Sequence, residues 1–362
     1  LADPHLPNKL AAGFPERVRP CIYCYTCVSA IYTDDHSRCA VNSELGFEYE
    51  RKEPSAPPKH VAVIGGGPGG MESARQLAAR GHRVTLIERS EQLGGTLRFA
   101  ALAYEPNERL LNWLRSEVAE VGVEVRLGTA ATAELLRELG VDEVIVATGA
   151  IRSMPDIPGN DLPNVFSGDD MRRMMFGESS DELKRKTGLF TRLAIKVGAA
   201  TGATANLDLV RKATHAWMPI GDRVVIIGGE LVGVELAEFL MERGRQVTVV
   251  DVMPRFGKGL TLVRRMRLLA ELKEHGVVLA TGAKDIAITA AAVSWTDGEG
   301  QSQSAAADTV IVAKGAEGDL ALAEDLKAAG FKVHAIGDAN GVGYIEGAMR
   351  GAAKAVREIA GG

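Results

Sequence analysis

Four cysteines, Cys21, Cys24, Cys27 and Cys39, fall in the single stretch RPCIYCYTCVSAIYTDDHSRC, and the chain has no others. Their spacing, C-x2-C-x2-C-x11-C, puts three thiolates on one compact loop and brings the fourth from close by. That pattern suits a 4Fe–4S cubane, whose iron corners take four such ligands. Zinc competes for the same donors, but four-cysteine zinc sites more often arrive as two separated C-x2-C pairs. Free thiols are the third reading, and a disulfide fits poorly in a chain with no mark of export. His36 stands near Cys39 as a substitute ligand, although four sulfurs already complete the set and it reads as a surface residue. Tyr23, Tyr25 and Tyr32 read as a screen between the sulfurs and water, which would tune a potential rather than supply chemistry.

A second constellation begins at Val61. VAVIGGGPGGMESARQLAARGHRVTLIE, ending at Glu88, reads as strand, glycine turn, helix, strand and terminal acid. Gly65 permits the tight turn, Gly67 lets backbone approach a pyrophosphate, and Gly70 lets the helix pack close to the strand, with Gly69 in the same turn. The helix N-terminus then faces the phosphates, where unpaired N–H groups and the helix dipole favour negative charge. Glu88, with Arg89 beside it, stands where an acid accepts hydrogen bonds from an adenosine ribose. Strand, triad, helix and acid in this order specify a dinucleotide site far better than a lone triad would.

The pattern returns at Asp222 as DRVVIIGGELVGVELAEFLMERGRQVTVVD, in register and without a gap. Gly228 repeats Gly65, Gly233 repeats Gly70, Gly244 repeats Gly81 and Asp251 repeats Glu88, each 163 positions later. VIVATGA at 144–150 likewise recurs 166 positions later as VIVAKGA. One position departs, because Glu230 stands where the first copy has Gly67. A carboxylate there crowds and repels a pyrophosphate unless it turns away. A second dinucleotide fold is expected, with Gly228, Gly229, Gly233 and Asp251 as its nicotinamide-dinucleotide residues and Glu230 set against retention of that ligand. Asp251 favours NADH, since an acid repels a 2′-phosphate, and Arg255 softens the preference toward NADPH.

The elements that must position these groups follow along the chain. Residues 1–20 carry four prolines and read as an ordered connector, and EPSAPP at 53–58 as a linker. Beyond Glu88, EQLGGTL puts Gly94 and Gly95 where a ligand can approach the backbone. A helix is predicted over about 106–121 with Trp113 in its core face, then a strand GVEVRL, then VDEVIVATGA as a buried strand turning at Thr148 and Gly149. Residues 151–220, with a charged segment at 181–186 and a small-residue stretch at 198–205, read as a crossover. His215 and Trp217 end it with no catalytic partner nearby. A second helix is predicted over about 261–275, and Trp295 in a hairpin. The end, FKVHAIGDANGVGYIEGAMRGAAKAV, gives a strand closing at Gly337 and Asp338 and then a helix. Asp338 either meets a ligand's hydroxyls or caps that helix.

At 362 residues the chain has room for two or three domains with sizeable cores. A net charge of −5 without a concentrated basic surface argues against a nucleic-acid partner. No run approaches the ~18 apolar residues of a membrane span, so a cytoplasmic location is the default expectation. The chain opens on Leu1 with LADPHLPNK, which reads as the middle of a longer polypeptide.

GGGPGG with Glu88, the ATG turn, the second glycine motif with Asp251, and the terminal Ile336-Gly337-Asp338 together resemble the two-dinucleotide-domain flavoproteins such as the thioredoxin reductases. A four-cysteine segment directly before the first domain narrows the match. The chain resembles the C-terminal part of the 2,4-dienoyl-CoA reductase, 2-enoate reductase and trimethylamine dehydrogenase family, with the join after that family's FMN-binding barrel at ADPHLPNK. The resemblance covers essentially the whole chain. It implies an α/β fold of two Rossmann-like domains, the second inserted in the first, preceded by a cysteine-rich segment that binds a cluster. The boundaries expected are 1–58 for that segment and linker, 59–165 with 317–362 for the FAD domain, 166–220 for the crossover and 221–316 for the NAD(P)H domain.

The resemblance assigns FAD to Gly65, Gly67, Gly69, Gly70, Glu88, Arg89, Gly95, Thr148, Gly149, Gly337 and Asp338, and a 4Fe–4S cluster to the four cysteines. It implies the electron-input and relay portion of an NADH-dependent reductase, passing electrons to FMN in a barrel this sequence lacks, which reduces an activated alkene. The implied partners are that barrel, on the same or a separate chain, an electron-transfer flavoprotein and a further copy of the chain. No residue here needs to act as general acid or base, and none of the seven histidines is arranged as one. All four cysteines precede the FAD domain, which excludes a disulfide reductase. Two rival readings are an amine dehydrogenase or demethylase that sends electrons outward, toward which Glu230 leans, and a zinc-stapled nucleotide-binding module.

Overall fold

The computed structural model describes residues 1–33, 36–50, 56–176, 185–186 and 206–361. The stretch at 198–205, most of the charged segment at 181–186 and part of the linker at 53–58 lie outside them. The chain forms two compact units, one of residues 1–101, 105–151 and 316–362, the other of 102–104 and 152–315. The second is thus an insertion in the first.

HVAVI, fully buried, is a run of β-branched and small apolar residues that suits a strand covered on both faces. This strand, His60–Ile64, is the centre of a five-stranded parallel sheet in the order Lys332–Ala335, Glu143–Val146, His60–Ile64, Arg83–Ile87, Glu124–Arg126. The helix Pro68–Ala79 connects the central strand to its neighbour and packs against the helices Pro106–Glu120 and Tyr344–Ala360. The inserted unit repeats the plan with Val165–Ser167, Thr309–Val312, Arg223–Ile227, Gln246–Val250 and Val278–Ala280, again all parallel. It adds an antiparallel sheet of Lys284–Ile288, Ala292–Thr296 and Ser302–Ala306, in which Trp295 is buried opposite Gln303.

One expected boundary is corrected. The chain leaves the first unit at Ile151, not at 165, and Val165–Ser167 belongs to the inserted unit because Val165 pairs with Val310 in its sheet. Residues 152–176 are therefore part of the second domain, and the helix Leu207–Ala216, which carries His215, lies in that unit too.

The cysteine-bearing segment is held to the first unit by a charged cluster. Glu72, on the glycine-loop helix, is completely buried and paired with Arg19 at 3.3 Å and Arg75 at 2.8 Å. Arg19 also donates to the Val41 carbonyl at 2.6 Å and lies over the Trp113 ring at 4.6 Å. Trp113 in turn donates to the Arg17 carbonyl at 2.9 Å. The residues flanking Cys21 and Cys39 are thereby tied to one helix.

Burial alone would raise the Glu72 pKa, but the guanidiniums of Arg19 and Arg75, with hydrogen bonds from Arg75 and Gln76, hold it at about 2 against an ordinary 4.5. A depressed carboxyl stabilises the fold fully above its unfolded pKa and loses that contribution as pH falls toward its folded one. Glu72→Gln is expected to destabilise the protein by about 3 kcal/mol at neutral pH. In denaturant melts the difference from wild type should close between pH 4.5 and about 2. An equal difference at pH 7 and pH 3 would show that the charge is not its source.

Candidate functional site

In the first unit the chain turns at Gly65 with φ +106°, a conformation that favours glycine. A Cβ on Gly65 would collide with the Ala147 carbonyl, so the turn that carries Thr148 and Gly149 lies directly against the glycine loop. A Cβ on Gly70 would collide with the Gly65 carbonyl oxygen, which is the close packing of helix on loop that the triad implies. Gly69 faces the Ala348 carbonyl, and a Cβ on Gly337 would meet the Ala348 Cα at 3.6 Å, which brings the C-terminal helix to the same loop. Gly67 differs, because a Cβ there would meet nothing within 4 Å. It is the residue before the helix, and a Cβ on Gly95, in the EQLGG turn, would press on the Gly67 Cα at 3.2 Å, so Gly95 packs bare against it. The open side of Gly67 and a helix N-terminus therefore border open space, a shape and polarity that fit a pyrophosphate.

Glu88 sits at the end of the second strand, almost buried, and holds the loop itself. It accepts from the Gly66 N–H at 2.7 Å, the Ser90 N–H at 2.8 Å and the Ser90 hydroxyl at 2.9 Å. Arg89 is exposed, as is Thr148. Asp338 accepts from the N–H groups of Gly343 at 2.9 Å and Tyr344 at 3.0 Å, both through Oδ1. Asp338 thus holds the backbone at the start of the C-terminal helix through Oδ1.

The inserted unit repeats these contacts residue for residue. Gly228 has φ +125°, and a Cβ on Gly233 would collide with the Gly228 carbonyl oxygen. Asp251 accepts from the Gly229 N–H at 2.5 Å, the Met253 N–H at 3.1 Å and the Lys314 ammonium at 2.7 Å. Burial would raise the Asp251 pKa, but Lys314 and the two N–H groups outweigh it and lower the value. This acid, expected at a ribose, is 0% exposed. Phe256 lies on Gly229 as Leu93 lies on Gly66, 163 positions apart.

Sequence reasoning missed Lys258 and Lys314, the two cations of this loop. Register was the available signal: Lys258 falls 163 positions after Gly95, and Lys314 falls 166 after Thr148. Arg255, Lys258 and Arg265 line a cavity of about 380 Å³ together with Phe256.

Among the cysteines, Cys21 is exposed and the other three partly so. Cys21 accepts from the Tyr23 N–H at 3.3 Å, Cys24 from the Thr26 N–H, and Cys39 from the N–H groups of Val41 and Asn42. Three sulfurs thus each receive the backbone N–H two positions on, an arrangement that favours thiolate. Tyr23 and Tyr25 adopt positive φ within this loop. Burial pushes the Cys24 and Cys39 thiols up, and neighbouring sulfurs add to it, Cys39 and Cys21 around Cys24, Cys27 and Cys21 around Cys39. Among the described residues, however, no three His, Cys, Asp or Glu side chains converge as a metal-binding group. His36 is exposed and packs edge-on against the Phe47 ring at 4.9 Å. Tyr23 and Tyr32 are 52% and 67% exposed, and Tyr25 is half-buried.

Residues 36–134 and 59–342 match the family model described as pyridine nucleotide-disulphide oxidoreductase. The segment 59–342 contains no cysteine. The chain is 36% identical to a bilirubin reductase of Mediterraneibacter gnavus over 94% of its own length and 47% of that protein's. It is 30% identical to an NADH oxidase of Thermoanaerobacter brockii over 95% and 48% of the two lengths. Among solved structures, a 2-naphthoyl-CoA reductase matches with TM-score 0.79 and 26% identity, over 98% of this chain and 48% of that one. The chain spans about half the length of the curated relatives it matches. No helix among the described residues is long and apolar enough to cross a membrane.

Gly67 and Gly70 should separate ligand binding from folding. Gly67→Ala, whose Cβ meets no protein atom, is expected to keep the thermal midpoint while weakening FAD binding at least about tenfold. Gly70→Ala is expected to lower the midpoint, through collision with the Gly65 carbonyl. FAD retention on gel filtration and thermal melts measure the two effects. Equal behaviour of the two variants would remove the cradle from the argument.

Proposed function

The chain belongs to the pyridine nucleotide-disulphide oxidoreductase family, and on that premise we propose that it is the electron-input and relay portion of an NAD(P)H-dependent flavin and iron–sulfur oxidoreductase. The observation that carries this reading is the pairing of two in-register glycine-loop domains with a separate set of four neighbouring cysteines. FAD, when bound, supplies the exchange between a two-electron hydride donor and one-electron carriers. The first unit would hold it, with Gly67 and Gly95 bordering the pyrophosphate and Glu88 fixing the loop through Gly66. The inserted unit would take NAD(P)H. Cys21, Cys24, Cys27 and Cys39 would hold a 4Fe–4S cluster, since the donor set is all sulfur in a C-x2-C-x2-C-x11-C spacing and backbone N–H groups reach three of the sulfurs.

The acceptor would be an FMN-binding barrel, reducing an enoate or acyl-CoA alkene. Its support is the length of the relatives and the names of the reductases among them. Lys314 neutralises the acid that would repel a 2′-phosphate, and Arg255 and Arg265 line the adjoining cavity, so the proposal extends to NADPH as well as NADH. One observation favours the outward-flowing amine dehydrogenase reading: Glu230 stands at the second glycine loop, paired with Lys258 at 3.1 Å.

Anaerobic titration of the FAD-loaded protein with NADH and NADPH should bleach the flavin absorption. A flavin that stays oxidised with both would overturn the reductase reading in favour of the amine one. Metal analysis should return iron and acid-labile sulfide in equal amounts, and Cys24→Ser should lose both while keeping FAD. Zinc in place of iron would replace the relay with a structural staple.

A further inference from the structure

The two glycine loops share one backbone and differ in what they offer an anion. The residue before the helix has φ −72° and ψ −178° at Gly67, and φ −76° and ψ −175° at Glu230. A side chain is therefore tolerated in the second loop without strain. Opposite it, the first copy has Gly95 and the second has Lys258. The Glu230 carboxylate meets the Lys258 ammonium at 3.1 Å, whereas a side chain at the matching Gly67 of the first copy would meet no protein atom within 4 Å of its Cβ. The next position differs too. Pro68 has no N–H, whereas the Leu231 N–H is already held by the Lys258 carbonyl at 2.8 Å.

We propose that Glu230 and Lys258 form a charge latch over the second glycine loop, and that a dinucleotide binds there by drawing Lys258 away from Glu230 onto its pyrophosphate. The inference rests on the pyridine-nucleotide reading of the inserted unit and names the residues that set its affinity. Glu230 lies where a phosphate would lie, at a helix N-terminus that stabilises either anion. The pair is partly exposed, 37% for the Glu230 side chain and 67% for that of Lys258, so it is weak enough to open. Lys258 also lines the cavity with Arg255 and Arg265, and no carboxylate shares that lining. Once released from Lys258, Glu230 is the single acid that opposes the incoming pyrophosphate, while Asp251 stays neutralised by Lys314. The latch thus lowers affinity in the free chain and supplies the cation of the bound one.

The test is equilibrium binding of NADH, NADPH and ADP-ribose to the FAD-loaded full chain, as wild type, Glu230→Gln, Lys258→Gln and the double variant. FAD content and thermal midpoint serve as folding controls. Glu230→Gln is expected to tighten all three ligands about tenfold, and Lys258→Gln to weaken them by a similar factor. Glu230→Gly, which restores the residue of the first loop, should tighten them as Glu230→Gln does. The double variant should bind more tightly than Lys258→Gln, because the opposing acid is gone. Equal affinities in every form, or weaker binding by Glu230→Gln, would overturn the latch and leave the nucleotide reading standing. No binding by any form, Glu230→Gln and Glu230→Gly included, would overturn both.

Discussion

Each half of this molecule depends on one hydrogen bond, from the middle of a glycine turn to a buried acid at the end of the neighbouring strand. Gly66 donates to Glu88 at 2.7 Å and Gly229 to Asp251 at 2.5 Å. A bond from a backbone N–H to a carboxylate is among the stronger kinds in a protein. Here it fixes the loop whose residues must lie within a van der Waals contact of the next strand and of the helix. The same acids bind the N–H of the residue two positions on, Ser90 and Met253. Their first task is therefore to build the loop, and any contact with a ribose comes after it. Acid and glycine turn are 22 positions apart in both copies, so neither can change without disturbing the other.

A second constraint joins the cysteines to this loop. Arg19 reaches the Val41 carbonyl, the Glu72 carboxylate and the Trp113 ring, so residues next to Cys21 and Cys39 and the glycine-loop helix share one guanidinium. Glu72 without cations would be an uncompensated buried charge, which makes the cluster cooperative. With the Arg17–Glu117 and Arg38–Glu346 pairs, this contact fixes the cysteine-bearing segment on the helices of the first unit.

Much of this was legible in the sequence because the signals were local. Val61, Val63 and Ile64 form the strand they spell, the helix predicted over 106–121 is Pro106–Glu120, and the one over 261–275 is Leu262–Glu274. The contacts that were not legible are between residues far apart. Val165 joins a strand 145 positions later, which moved the domain boundary, and nothing in VFS itself marks it for one sheet over the other. Lys314 reaches Asp251 across 63 positions. Asp338 reads first as a ligand residue and second as a helix cap, because a strand-end acid beside a helix N-terminus has the same sequence whether it caps or binds.

Register makes the divergence of the two copies a physical matter rather than a count of identities. Positions that build the loop are kept, namely Gly65 with Gly228, Gly70 with Gly233, Glu88 with Asp251, and Leu93 with Phe256 as the apolar cover. Two positions that are open or exposed in the first copy have become charged in the second, Gly67 as Glu230 and Thr148 as Lys314, and Gly95, bare against Gly67, has become Lys258. The helix shows the same split. Glu72 is held at about 2 by Arg19 and Arg75 against burial, while its counterpart Glu235 is pushed up to about 7 by burial that Arg264 only partly opposes. The two loops thus share a scaffold and present different charge where they open. The bare one suits a cofactor that stays, and the charged one suits a nucleotide that must come and go.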